Sequence, residues 1–247
     1  MIKILYLFPK LLNLYGDRGN IAVLTRALEN MGAEVSVTET EDPKAYDPSA
    51  FDFIYCGAGT ENKISLAAKK LVPVAEKYVL AAENGVSMLF TGSAMELTCK
   101  EIVTSKEILP AIGIFNASVR RTEDRQTGDV LYNSKLSDKL IAGFINKSGF
   151  VCSSEAPMFS PWFGPSSFED EHQLDISGEG LAKNKVRATY VTGPILVRNP
   201  WLKRIIATEL FEKAYKGITP NAFADDYADK GWSVTVSELE KRKNTGA

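Results

Sequence analysis

Along the first hundred residues, apolar and polar positions trade places in a rhythm that predicts strands and helices in turn. Ile2–Phe8 is a nearly continuous apolar run, the pattern of a strand buried on both faces. The loop Pro9–Gly19 follows, and Asn20 is placed to cap a helix reaching about Met31, where Gly32 supplies a stop. Glu34–Glu39, with Val35 and Val37 alternating, reads as a second strand. Asp42–Pro48 is a polar loop, and Phe51–Cys56 is a third strand that runs into Gly57-Ala58-Gly59-Thr60. Ile64–Ala82 sets Leu66, Leu71, Val74 and Val79 at roughly helical spacing, with a break or restart expected at Pro73, whose ring and missing N–H interrupt a helix. Asn84-Gly85 ends that stretch. Val86–Phe90 is a fourth strand, Thr91-Gly92-Ser93-Ala94 a tight turn, and Ala94–Cys99 a short helix. Strands alternating with helices in this way predict an α/β protein with a mainly parallel sheet.

The second half has a different pattern. Strands are expected at Ile112–Val119, Gly128–Tyr132, Ile141–Ile145 and Arg187–Val191, with no long helix among them, which predicts an antiparallel portion on one flank. Pro157–Gly180, rich in Pro, Ser, Gly and acidic residues, reads as a long surface loop. Trp201–Lys216 places Leu202, Ile205, Ile206, Leu210 and Phe211 on one face of a helix. Past Pro220 comes a polar extension with the aromatic anchors Phe223, Tyr227 and Trp232, then a charged end, Glu238–Lys243, read as a solvated helix end. The expected organisation is one domain over residues 1–218 and a C-terminal extension over 219–247.

Composition narrows the function classes. A chain of 247 residues can bury a sizeable core, and its apolar and charged fractions are those of a soluble globular protein. A net charge of −2 argues against charge-driven binding to nucleic acid or membrane. Ile2–Phe8 is too short to span a bilayer and lacks the features of a signal peptide. Cys56, Cys99 and Cys152 are odd in number and scattered, which suits reduced thiols and a cytoplasmic location. The single histidine, His172, excludes a two-histidine metal cluster and reads as a solvated loop residue; no metal and no cofactor are expected.

In an open α/β sheet, sites form at the carboxyl ends of strands. Gly57-Ala58-Gly59 could aim backbone N–H groups at an anion or developing oxyanion, though such a turn also serves as a plain connection. Val86–Ala94 has the strand–turn–helix layout of a nucleophile elbow, a layout found in every βαβ unit. Two further segments make the pattern specific: Leu14-Tyr15-Gly16-Asp17-Arg18-Gly19-Asn20 near the start, and Thr189-Tyr190-Val191-Thr192-Gly193-Pro194-Ile195-Leu196 near the end. In this order, around those two turns, they resemble the class I glutamine amidotransferases of the cobyric-acid-synthase-like branch, above all the glutaminase subunit of lipid II isoglutaminyl synthase. The resemblance runs from about Lys3 to Lys216.

It implies a flavodoxin-like, mostly parallel sheet flanked by helices, and a partner, a Mur-ligase-like ATP-dependent synthetase subunit that the domain supplies with ammonia. In that family a cysteine at the elbow attacks the glutamine side chain, and a histidine in a Thr-x-x-His-Gly-Pro segment moves its proton. Here Thr91 falls where the family has the cysteine, Ser93 in place of its second glycine, and Thr192 where it has the histidine. Without thiol and imidazole, losses of about a millionfold are the expected scale. A β-branched residue tolerates a strained elbow poorly, so a relaxed backbone is expected at Thr91. The resemblance also implies that Gly57, Ala58, Gly59, Gly92 and Ser93 belong to a binding pocket for a glutamine-like ligand, with Asp17 and Asn20 holding the first loop. Arg125, ahead of Gln126-Thr127-Gly128-Asp129, is a candidate for a pocket or interface role, with an exposed arginine near a hairpin turn as the plain alternative. The functional expectation is an amidotransferase-like subunit without glutaminase activity, in cell-wall precursor amidation. Two alternatives stand beside it: an active amidase or hydrolase using Thr91, Ser93 or Cys56, and a stand-alone ligand-binding protein.

Overall fold

In chain order the elements are β1 (Ile2–Leu7), α1 (Arg18–Asn30), β2 (Val35–Thr40), β3 (Phe53–Cys56), α2 (Glu61–Leu71), α3 (Ala75–Glu83), β4 (Ser87–Thr91), β5 (Glu101–Val103), β6 (Ile108–Pro110), β7 (Ser118–Ser134), β8 (Ile141–Cys152), β9 (Phe159–Phe163), β10 (Leu181–Lys183), β11 (Val186–Thr189), α4 (Ile195–Arg198), α5 (Pro200–Ala214) and α6 (Asp226–Thr245). The computed structural model describes residues 1–169 and 177–245, and His172 lies outside them.

The spine is β1, whose residues are buried apart from Lys3, as the apolar run requires. It pairs in parallel with β2 on one side and β3 on the other; β3 pairs with β4, and β4 with β11, all parallel. The order β2-β1-β3-β4-β11 is the flavodoxin-like arrangement of a doubly wound sheet, and antiparallel β10 closes the edge. The mixed α/β fold with a largely parallel sheet flanked by helices is therefore as expected. So is the interruption at Pro73: α2 and α3 are separated by a 3₁₀ turn, Val72–Val74.

Several expectations change. The segment read as a strand at Ile112–Val119 is irregular until Ser118, while β5 and β6 lie earlier. Gly128–Tyr132 and Ile141–Ile145 are parts of two much longer strands, β7 and β8, paired antiparallel with an irregularity between Arg121 and Gln126. These four strands and β9, which arises inside the expected surface loop, build a second sheet. The strand expected over Arg187–Val191 belongs to the main parallel sheet, not the flank: as β11 its residues are all buried beside β4. A short apolar run carries no information about which sheet it will enter.

The extension folds back as α6. Trp232 donates its indole N–H to Leu140 O at 3.0 Å, and Val236 and Leu239 pack with Leu131 and Ala142 of β7 and β8. Arg242 reaches Asp129 at 3.0 Å, and Lys243 sits 3.8 Å over the Trp162 ring. The charged end is thus only half solvated. Among the described residues no helix is long and apolar enough to cross a membrane.

Candidate functional site

The carboxyl ends of β1, β3, β4 and β11 bring together the loop Pro9–Gly19, the turn Gly57–Gly59, the turn after Thr91, and Thr192. At their centre Asp17 is fully buried. Its carboxylate accepts the Ala58 N–H at 2.8 Å and lies 3.2 Å from the Tyr55 hydroxyl and 3.3 Å from that of Thr91. Those two hydroxyls are 2.8 Å apart, and Asn20 donates to Tyr55 at 2.7 Å. Asn20 also accepts the N–H of Leu196 at 2.8 Å, so the two segments that carry the sequence resemblance are tied to one another. Burial pushes the Asp17 carboxyl above its usual range, against the pull of its three donors. Asp17 and Asn20 therefore hold the first loop through side-chain bonds to the sheet. Asn20 lies inside α1 and does not cap it.

Thr91 is in extended backbone, φ −119° and ψ 149°, with its side chain committed to Tyr55 and Asp17. The relaxed geometry expected of a β-branched residue is present. The left-handed turn comes one residue later, at Gly92, with φ +58°. A Cβ built on Gly92 would lie 2.6 Å from the Ala58 Cβ and 3.8 Å from the Thr192 Cβ. The elbow's apex thus points at the Gly57–Gly59 turn and at Thr192, but carries no side chain. Thr192 is almost fully buried, and its Oγ1 has no hydrogen-bond partner among the described residues. Its backbone is bonded in both directions to Phe144 of β8.

The turn expected to offer N–H groups offers few. Ala58 N–H is taken by Asp17, and Gly59 N–H donates to Ser93 Oγ at 3.0 Å, which returns a bond to Gly59 O at 2.6 Å. Gly57 is needed for close approach, since a Cβ there would meet Asp17 at 2.7 Å and Leu12 O at 2.9 Å. Ser93 is consequently a strut between two turns, and among the described residues no carboxylate is bonded to its hydroxyl. Cys56 is fully buried, and burial, reinforced by Asp17 and Glu41, raises its thiol well above the ordinary range. Cys99 is likewise buried and raised, chiefly by desolvation.

Beside the elbow lies a cleft of about 240 Å³, lined among others by Tyr15, Glu61, Ser93, Arg125, Asn146 and Lys147. Arg125 donates to Asn146 Oδ1 at 2.7 Å and pairs with Glu61. Asn146 in turn donates to the Tyr15 hydroxyl at 2.8 Å. Tyr15 has φ +67°, a strained value for a bulky residue, held by that bond and by an edge contact with Phe144. Under the cleft Glu96 accepts two bonds from Arg121, at 2.8 and 2.6 Å. Of these residues Tyr15, Ser93 and Arg125 stood out in the sequence. Glu61, Asn146 and Lys147 belong to no recognisable motif and meet through the pairing of β7 with β8. Lys147 alone left a trace, as a cation in the inward row Ile141, Gly143, Ile145, Lys147, Gly149, Val151.

No protein-family model matches the chain. It is 27% identical over 241 residues to the subunit GatD of lipid II isoglutaminyl synthase (glutamine-hydrolyzing) of Streptococcus pneumoniae, covering 92% of this chain and 91% of that one. The GatD of Staphylococcus aureus is 25% identical over 235 residues, covering 95% and 94%. Among solved structures, a glutamine amidotransferase superposes with a TM-score of 0.54 at 15% identity, covering 83% of this chain and 97% of that one. PurLQS from Thermotoga maritima does so with 0.56 at 12%, covering 87% and 99%. The chain is a homologue of these GatD subunits on the glutamine amidotransferase fold.

Proposed function

We propose, from that homology, that the chain is an amidotransferase-like subunit of cell-wall precursor amidation that does not itself hydrolyse glutamine and acts with a Mur-ligase-like, ATP-dependent synthetase in the cytoplasm. The observation that carries the proposal is the convergence of Gly92, Thr192 and Ala58. The elbow apex, the position facing it and the adjoining turn meet in space, yet hold no nucleophile and no base. Hydrolysis of an amide needs a nucleophile that can be deprotonated and a group that protonates the departing ammonia. A glycine and a threonine supply neither.

The alternative nucleophiles are each engaged elsewhere. Thr91 is bonded towards Asp17 and Tyr55, Ser93 bridges to Gly59, and Cys56 is sealed in the core with its thiol held protonated. What persists is a scaffold and a polar cleft with Arg125 and Glu61 at its rim, and this supports retained docking or ligand sensing. The test is ammonia release from glutamine by the purified chain, alone and with a co-purified synthetase. The expected result is none above background, with amidation by the pair supported by ammonium salts and not by glutamine. Glutamine turnover by the chain would end the proposal.

A further inference from the structure

Lys147 is the one buried lysine of the cleft, only 2% exposed. Among the described residues no carboxylate pairs with it. Its Nζ donates to Gly149 O at 3.0 Å and rests 3.8 Å from the centre of the Phe150 ring, with the Tyr190 ring at 5.4 Å. A lysine charge is costly to hold in such a place without a counter-ion. Burial accordingly pushes the amine down to about 8, with Glu179 and Glu96 acting in the opposite direction. A fraction of Lys147 is therefore the free amine near neutral pH, whereas exposed lysines are almost wholly ammonium. The same cleft holds Arg125, with Asn146 and Glu61 fixing its guanidinium and two-fifths of its side chain in solvent. A guanidinium is the natural receptor for a carboxylate.

We infer that Lys147 is an imine-forming amine whose cleft takes a small α-keto acid, the carbonyl carbon going to Nζ and the carboxylate to Arg125. The nitrogen lone pair adds to the carbonyl carbon, and the oxygen takes up a proton to give a carbinolamine. The hydroxyl then leaves, so that both protons of the neutral amine end in the water released and a C=N bond replaces C=O. No oxidant or reductant is consumed. The inference does not depend on the chain's lack of glutaminase activity, and neither result bears on the other.

The test uses the full chain with glyoxylate and sodium cyanoborohydride, which reduces imines to stable secondary amines, followed by peptide mass mapping at low conversion. Lys147 is expected to be labelled about tenfold ahead of the exposed lysines, an advantage set by its larger free-amine fraction less the lower nucleophilicity of a weaker base. Acetaldehyde, which has the carbonyl but no carboxylate, should lose most of that advantage, and Arg125→Ala should reduce glyoxylate labelling to the acetaldehyde level. Lys147→Arg preserves the charge and removes the labelled site, so its map should show surface lysines only. Lys147 labelled no faster than the surface would overturn the assignment in the native protein, whatever the variants do. Equal selectivity for glyoxylate and acetaldehyde would overturn the α-keto acid.

Discussion

If Gly92 marks the vacated place of a nucleophile, glutaminase chemistry should return only when three positions change together. A side chain at Gly92 must adopt φ +58°, which costs a non-glycine residue about 1–3 kcal/mol. Its Cβ must also sit 2.6 Å from the Ala58 methyl, against an ordinary carbon–carbon contact of about 3.5–4.0 Å. Overpacking of this kind costs about 1–3 kcal/mol more. Gly92→Cys alone should therefore lose about 2–6 kcal/mol, a large part of a typical domain's stability. Ala58→Gly should recover the steric share and leave the torsional one. Thr192→His then supplies the base, since the two Cβ positions are 3.8 Å apart. The triple variant should release ammonia from glutamine in a coupled glutamate dehydrogenase assay and lose that activity to iodoacetamide. Thr91→Cys with Thr192→His should stay inert, because the side chain at 91 is turned to Tyr55 and Asp17. The reasoning fails if that pair is the active one, or if urea melts show no coupling between Gly92→Cys and Ala58→Gly.

Asp17→Ala should cost about 2–4 kcal/mol in urea unfolding, because it orphans the buried Ala58 N–H and removes the acceptor shared by Tyr55 and Thr91. With its folded pKa raised, Asp17 favours the native state more as pH falls through that pKa towards the unfolded value, so wild type should gain on Asp17→Asn between neutral and mildly acid pH. Lys147 has its folded pKa depressed to about 8 from 10.5, so the native state binds fewer protons in that window and stability rises with pH across it. Lys147→Met should accordingly be stabilising by about 3 kcal/mol below pH 8, and melting curves up to pH 9.5 should show the gap closing; a gap independent of pH would refute the burial argument. Arg121→Ala leaves the Glu96 carboxylate buried without its cation and should cost about 3–5 kcal/mol by thermal denaturation.

The parallel sheet was legible because its strands are short apolar runs separated by helix-period segments, and Pro73 announced its own break. The second sheet was less so. Ser118–Ser134 carries Arg, Glu and Asp through its middle, so only its apolar end, Gly128–Tyr132, looked like a strand. The site shows the same division. Motif residues such as Asp17, Asn20 and Thr192 could be singled out because local order preserves them. That the left-handed torsion falls at Gly92 and not at Thr91 is a matter of backbone geometry, which residue identity alone does not specify. The cleft of Glu61, Asn146 and Lys147 depends on register between β7 and β8 and on α2 approaching them, neither of which has a local signature.

The contact between Gly92 and Ala58 also bears on lineage. While position 58 holds an alanine, a cysteine appearing at 92 is selected against on stability before it can confer any activity, and a glycine at 58 confers nothing while 92 is bare. The two steps shield each other from change, so homologues with glycine at 92 and alanine at 58 should persist across descendants, and any that carry a thiol at 92 should be found with glycine at the neighbouring turn.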